Sequence, residues 1–131
     1  MKQDMKHAAD QIRERGGYRW VGIYEVGSEE ISIVAWSGEG PPAFPKFPKG
    51  RGLCSAAAAS GQTVLVGDVT KDPRYLTTFG STRSEVIVPI RLATGEVVGL
   101  IDVESERVDA FTPQDVRVLE ARAEAIARSR D

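Results

Sequence analysis

Apolar residues recur at helical spacing near both ends of the chain. Residues 2–15 are predicted to form a helix that ends at Gly16, and Thr112 with Asp115 predicts the capping box of a last helix. The apolar positions of both helices follow a heptad-like rhythm: Met1, Met5, Ala8 and Ile12 in the first, and Val116, Leu119, Ala123 and Ile126 in the last. Narrow stripes of this kind favour helix pairing, so we expect a homodimer held by the terminal helices.

Aromatic and β-branched residues dominate the segments between these helices. The predicted strands are residues 18–26, 31–36, 63–66, 85–92 and 96–104. The first two strands and the last two strands are each separated by a tight turn, which predicts two hairpins. Residues 38–50 hold four of the seven prolines and are predicted to be a loop, whereas residues 53–59 are predicted to be a short helix of small residues. This order predicts an antiparallel sheet with helices on one face or at its edge, which is the α+β class.

The composition predicts one domain spanning residues 1–131, with 41% hydrophobic and 27% charged residues. Seventeen Lys and Arg residues against nineteen Asp and Glu residues give a net charge of −2, which disfavours nucleic-acid binding and a polybasic membrane surface. No apolar run approaches the roughly 18 residues of a membrane span, and residues 1–4 lack the apolar core of a signal peptide. We therefore expect a cytoplasmic protein.

Four groups of residues stand in an order that resembles the GAF domain family. They are residues 50–54 with the helix 56–61, residues 68–75, Ser84-Glu85 with Pro89, and residues 99–105 with Phe111, Thr112 and Asp115. The resemblance covers a core of residues 18–126. It implies a six-stranded antiparallel sheet, with the terminal helices on one side and a ligand pocket between the sheet and its overlying loops on the other.

Within that family, residues 20–24, 51–54, 83–86 and 102–105 resemble the free methionine-(R)-sulfoxide reductases. The resemblance implies an attacking cysteine at the position of Thr78 and a second redox cysteine at the position of Phe44. A thiolate must attack the sulfoxide sulfur, and a second thiol must resolve the product. Neither threonine nor phenylalanine can replace these groups, so the sequence predicts no catalytic residues and no reductase activity.

Trp20 and Tyr24 lie four residues apart on a predicted strand and therefore share one face. They are candidates for an aromatic wall around a cationic or apolar ligand, and the alternative is ordinary core packing.

Cys54, the single cysteine, stands among alanines and is expected to be a buried small side chain rather than a reactive thiol. Because the one histidine, His7, lies far off in the first helix, we expect no metal site, and we expect no cofactor.

Asp102 and Glu104 alternate onto one face of the last strand, which they are expected to share with Val98 and Leu100. Glu85 opens the neighbouring strand of the same hairpin. Three carboxylates around a pocket would hold an amine, as the resemblance implies for an amino-acid ligand. The alternative is a set of acids at the strand ends that face water or pair with neighbouring arginines.

The residues thus favour a non-enzymatic GAF sensor domain that binds a small molecule, with an amino acid or amine as the candidate ligand, and signals through another chain. The candidate ligand-binding residues are Trp20, Tyr24, Glu85, Asp102 and Glu104. One alternative is a divergent free methionine-(R)-sulfoxide reductase that draws its second thiol from outside. The other is a dimerisation module with an empty pocket.

Overall fold

A computed structural model describes residues 4–76 and 79–130 of the chain. Three helices and six strands follow in the order α1 (Met5–Gly16), β1 (Trp20–Val26), β2 (Glu30–Ser37), β3 (Lys46–Pro48), α2 (Gly52–Ser60), β4 (Val64–Val66), β5 (Ser84–Arg91), β6 (Val97–Ser105) and α3 (Pro113–Arg130). A short 3₁₀ helix, Val69–Lys71, lies between β4 and β5. None of the helices in the described ranges is long and apolar enough to cross a membrane.

The six strands form one antiparallel sheet in the order β3-β2-β1-β6-β5-β4. The hairpins β1–β2 and β5–β6 are the two that the sequence predicts, and β6 joins them by pairing with β1. This arrangement confirms the α+β class and the six-stranded sheet implied by the family resemblance.

One face of the sheet, the helix face, is covered by the two terminal helices. Helix α1 packs mainly on β1 and β2, and α3 packs mainly on β5. The strands contribute aliphatic side chains to this core, among them Val21, Ile23, Val86, Val88, Ile90, Ile101 and Val103. The helices contribute Met5, Ala9, Ile12, Leu119, Ala123, Ile126 and Ala127.

Most of the described stripe residues of the terminal helices are buried against their own sheet. Ile12 and Leu119 are 3% and 0% exposed, and both belong to the core of the helix face. Ile12 and Leu119 therefore pack within the chain itself, and the homodimer held by the terminal helices stays a prediction. A heptad-like rhythm also suits a helix lying on a sheet, because both arrangements bury a single apolar stripe.

The opposite face, the pocket face, is covered by α2 and by the loops that surround it. Its buried residues are Trp20, Tyr24, Ile31, Phe47, Leu53, Cys54, Ala57, Val66, Val69, Ile87 and Leu100. Helix α2 consists mostly of small residues, so its backbone lies close to β5 and β6. Gly61 ends the helix in the left-handed conformation, with φ of 69°, which a glycine adopts without steric cost.

Two local predictions are corrected by the structure. The proline-rich loop contains β3, in which Phe47 pairs with Ile31; its flanking prolines are tolerated because β3 is an edge strand. Val98 belongs to the helix face and does not share a face with Asp102. The pairing of β5 with β6 passes from Gly99 to Val97, so a bulge at Val98 shifts the alternation by one residue.

Candidate functional site

The strand register brings three acidic side chains together on the pocket face. Glu85 of β5 stands directly opposite Glu104 of β6, and Asp102 stands opposite Ile87, two residues along the same strand. All three side chains are buried, between 0% and 4% exposed. We call Glu85, Asp102 and Glu104 the carboxyl cluster. The sequence predicted that these acids share a face, and it left their register open.

The carboxyl cluster borders a small cavity of about 20 Å³ between the sheet and α2, which is room for a single water molecule. Three of the predicted residues, Tyr24, Glu85 and Asp102, line this cavity, and so does Cys54. The remaining lining residues are Phe44, Phe47, Gly52, Leu53, Tyr75 and Leu76. Phe44 was named from the family resemblance. Sequence reasoning missed the others because they come from β3, α2 and a loop, whose placement over the sheet has no local signal.

The other two predicted residues, Trp20 and Glu104, do not line this cavity; they are register partners in the pairing of β1 with β6. The Trp20 ring is buried, and its Nε1 donates a hydrogen bond of 2.8 Å to the carbonyl oxygen of Gly40. Thr82 Oγ1 donates a hydrogen bond of 2.7 Å to Glu104 Oε1. These two hydrogen bonds hold the Trp20 ring and the Glu104 carboxyl group in place.

Gly22 lies between the two predicted aromatic residues on the pocket face of β1. A Cβ atom at this position would overlap the indole ring of Trp20 and would lie 3.2 Å from Cε1 of Tyr24. The ring of Trp20 therefore occupies the space that a side chain at position 22 would need. Tyr24 in turn packs against Phe47, with ring centroids 6.0 Å apart and the rings tilted by 63°.

Burial and mutual repulsion keep the carboxyl cluster from ionising fully. Burial, followed by the charge of Glu104, raises the pKa of Glu85 to about 8. Burial, followed by the charge of Glu85 and a hydrogen bond with it, raises the pKa of Asp102 well above its usual range. The cluster therefore holds protons at neutral pH. Glu85 Oε1 and Asp102 Oδ1 are buried, and no described group outside the carboxyl cluster donates a hydrogen bond to either oxygen.

The same geometry offers an oxygen set for a positively charged group. Each acid contributes one oxygen, and these oxygens all lie within 4.8 Å of one another. No lysine, arginine or histidine is among the described residues that line the cavity. A cationic group on a ligand would therefore meet negative charge that the protein itself does not neutralise.

The fold and the site agree with a comparison of the whole sequence. The sequence pattern of the GAF domain matches residues 4–129. The chain belongs to the GAF domain family. The match includes both terminal helices, so the helix face and the pocket face both belong to the GAF domain.

Several relatives of this GAF domain are free methionine-R-sulfoxide reductases. The enzyme of Saccharomyces cerevisiae is 33% identical over 111 residues, which cover 84% of this chain and 62% of that protein. GAF domain-containing protein A of Dictyostelium discoideum is 32% identical over 108 residues, covering 82% of this chain and 67% of that protein. Since relatives at equal identity carry different names, identity alone shows the family and leaves the activity open.

A solved structure of a type II free methionine-R-sulfoxide reductase from Thermoplasma acidophilum is also similar to this GAF domain. The two superpose with a TM-score of 0.91 at 34% identity, over 97% of this chain and 89% of that chain. This similarity extends over almost the whole fold, including the elements that carry the carboxyl cluster.

Sulfoxide reduction needs thiols, and three positions bear on whether this GAF domain has them: Cys54, Phe44 and Thr78. Cys54 is buried at the cavity, and its pKa is raised well above the ordinary value by burial first and by the three acids of the carboxyl cluster second. The thiolate, which is the nucleophilic form, is therefore scarce at neutral pH. Phe44, at one predicted redox position, lines the cavity as an aromatic ring. Thr78, at the other, lies outside the described residues.

Proposed function

We propose that this GAF domain is a non-catalytic sensor that binds a free amino acid or a related amine against the carboxyl cluster. The observation that carries the proposal is the set of buried acids beside the cavity, two of which have an oxygen with no described donor outside that set. Buried polar atoms in proteins almost always have partners, and an ammonium group supplies both the missing donors and the missing positive charge.

The ligand class is supported by the residues around the acids. Tyr24, Phe47 and Tyr75 provide aromatic surface next to Glu85 and Asp102. Such surface suits the apolar part of an amino acid, while the acids suit its ammonium group. The names of the reductase relatives make methionine and its R-sulfoxide the first compounds to test. Because the cavity is only about 20 Å³, binding requires the residues that cover it to move apart.

The non-catalytic part of the proposal is supported by the number of thiols. The chain has one cysteine, so it cannot form the disulfide within itself that would follow attack on a sulfoxide. The raised pKa of the Cys54 thiol also works against nucleophilic attack. The second candidate function is a divergent reductase that uses an external thiol, and it is favoured by the reductase relatives and by the place of Cys54 at the cavity.

A thermal-shift experiment tests the binding proposal. We expect L-methionine or L-methionine-R-sulfoxide to raise the melting temperature, because a ligand that binds only the folded state stabilises it. Asp102→Asn should weaken the binding by about tenfold to a hundredfold, the scale of one charge-assisted hydrogen bond. Glu29→Gln changes an exposed acid and serves as the matched control. The proposal fails if no amino acid or amine shifts the melting temperature, or if both variants bind equally well.

A coupled assay with dithiothreitol separates the two candidate functions. We expect no reduction of L-methionine-R-sulfoxide. Turnover that disappears in Cys54→Ser would instead support the divergent reductase.

The predictions about partners and location stay proposals. A homodimer through the terminal helices would use side chains other than Ile12 and Leu119, because those two are buried within one chain. Sedimentation over a concentration series tests this prediction, and a monomeric mass at every concentration contradicts it.

The cytoplasmic location predicted from the sequence is likewise a proposal, which imaging of a tagged full-length protein would test.

A further inference from the structure

We propose that an ammonium group bound at the carboxyl cluster replaces a proton, so that ligand binding releases protons to solvent. This inference rests on the proposed function, because it assumes that the ligand carries an ammonium group. It adds that the site responds to pH as well as to its ligand.

The charge balance around the cluster is the first argument. Three buried acids cannot all be ionised without a counter-ion, since each charge removed from water costs several kcal/mol. The described titratable groups that face Glu85 and Asp102 are Glu104 on β6, Tyr24 on β1 and Cys54 on α2, and Tyr75 also lines the cavity. None of these groups can carry a positive charge. In the ligand-free protein, protons on the acids are therefore the available neutralising charge.

The unsatisfied oxygens are the second argument. Glu85 Oε1 and Asp102 Oδ1 have no donor among the described groups outside the carboxyl cluster, so in the ligand-free protein only protons held by the acids themselves can satisfy them. A primary ammonium has three N–H donors and one positive charge. It therefore satisfies both oxygens and also neutralises one ionised carboxylate. A neutral ligand group would provide donors and leave the protons in place.

The exchange balances in charge and in atoms. The ligand enters as R–NH₃⁺, one carboxyl group of the cluster loses its proton as a carboxylate, and that proton leaves to solvent. The net charge of the cluster and its bound ammonium together equals that of the ligand-free cluster. For one proton released, the dissociation constant falls tenfold for each increase of one pH unit. The raised pKa of Glu85, about 8, sets the upper end of this dependence.

Titration calorimetry in two buffers of different ionisation enthalpy measures the number of protons released. With L-methionine as probe at pH 7, we expect a release approaching one proton, and a dissociation constant that falls about tenfold from pH 6 to pH 7. N-acetyl-L-methionine lacks the ammonium group and is expected to bind at least tenfold more weakly, without proton release. Glu85→Gln should reduce both the release and the pH dependence, whereas Glu29→Gln should leave both unchanged.

An infrared measurement on the wild-type protein detects the protonated carboxyl group directly. It therefore does not depend on ligand affinity or on whether a variant folds. The ligand-free wild-type protein at pH 7 is expected to show the carbonyl band of a protonated carboxyl group, and L-methionine is expected to remove part of it. Absence of this band in the ligand-free protein overturns the inference. Binding of L-methionine without proton release also overturns it and leaves the proposed function intact. If no amino acid or amine binds at pH 8, the proposed function fails and the inference fails with it.

Discussion

The two faces of the sheet share the same strands and both bury apolar side chains, but among the described residues the cluster of buried acids lies on the pocket face alone. On the helix face, Val103 packs among aliphatic side chains beneath the terminal helices. On the pocket face, its neighbours Asp102 and Glu104 are equally buried and belong to a cluster of acids. Because successive side chains of a strand point to opposite faces, residues of the hydrophobic core and residues of the carboxyl cluster alternate along β6.

This difference indicates that stability and binding are divided between the faces. Burial of aliphatic residues stabilises the fold, whereas burial of acids destabilises it unless a partner neutralises them. Substitutions of a buried aliphatic residue on the helix face and of an acid in the carboxyl cluster are thus expected to change stability in opposite directions. Two variants test this, and a third tests whether the faces are independent.

The largest effect is expected on the helix face, for Leu119→Ala. Leu119 is 0% exposed and belongs to the core beneath α3, so the change leaves a cavity. We expect the free energy of unfolding to fall by about 3 kcal/mol. Urea denaturation measures the change. Val118→Ala, at the neighbouring 45% exposed position, is the control and should change stability by less than about 0.5 kcal/mol. Equal losses at the two positions would contradict the described packing of α3.

The next effect, of opposite sign, is expected for Glu85→Gln in the ligand-free protein. The pKa of Glu85 rises from 4.5 to about 8 on folding, so between these values the folded chain binds more protons than the unfolded chain. Its contribution therefore makes the free energy of unfolding fall as pH rises, by up to about 1.4 kcal/mol per pH unit. The glutamine variant lacks this titration, and we expect it to be more stable than wild type at pH 8. The expected gain is about 2 kcal/mol, less than the full pKa difference gives, because relaxation and water penetration lower the cost of a buried charge.

Denaturation of wild type and Glu85→Gln from pH 5 to pH 8 measures the difference between their free energies of unfolding. Acids that titrate identically in the two proteins do not contribute to this difference. The two stabilities should converge towards pH 5, where Glu85 is protonated in the folded chain and only partly ionised in the unfolded chain. A constant difference across the range, or a variant less stable than wild type at pH 8, would show that Glu85 is not a destabilising buried acid.

The smallest effect is expected for Thr112→Ala at the start of α3. Thr112 and Asp115 form a reciprocal capping box, in which the Asp115 backbone N–H donates to Thr112 Oγ1 and the Thr112 backbone N–H donates to Asp115 Oδ2. Loss of the hydroxyl should cost about 1 kcal/mol of stability and should leave ligand binding unchanged. Weaker binding of L-methionine by folded Thr112→Ala would mean that the two faces are not independent.

The parts of the fold that have local signals could be predicted from the sequence. The capping box of α3, the glycine that ends α2 and the two hairpins each depend on a few neighbouring residues. Hydrophobic alternation also placed Trp20, Tyr24, Asp102 and Glu104 correctly on one face. These features need no knowledge of distant contacts.

The features that depend on tertiary contacts could not be predicted in this way. The bulge at Val98 depends on how β6 meets β5, and β3 forms because Phe47 finds Ile31 on a neighbouring strand. Likewise, the stripe containing Leu119 does not reveal whether its partner is a sheet or another helix. Cys54 reaches the cavity because α2 crosses the sheet there, which no periodicity within α2 indicates.

The close approach of Trp20 to Gly22 also constrains the order in which this strand can change during evolution. Any side chain at position 22 would collide with the indole ring, so Gly22→Ala is expected to be harmful while Trp20 is present. After Trp20 has been replaced by a smaller residue, the same substitution should be neutral or favourable, because alanine restricts the unfolded chain more than glycine does. The two positions are therefore epistatic, and a lineage that keeps the tryptophan also keeps the glycine.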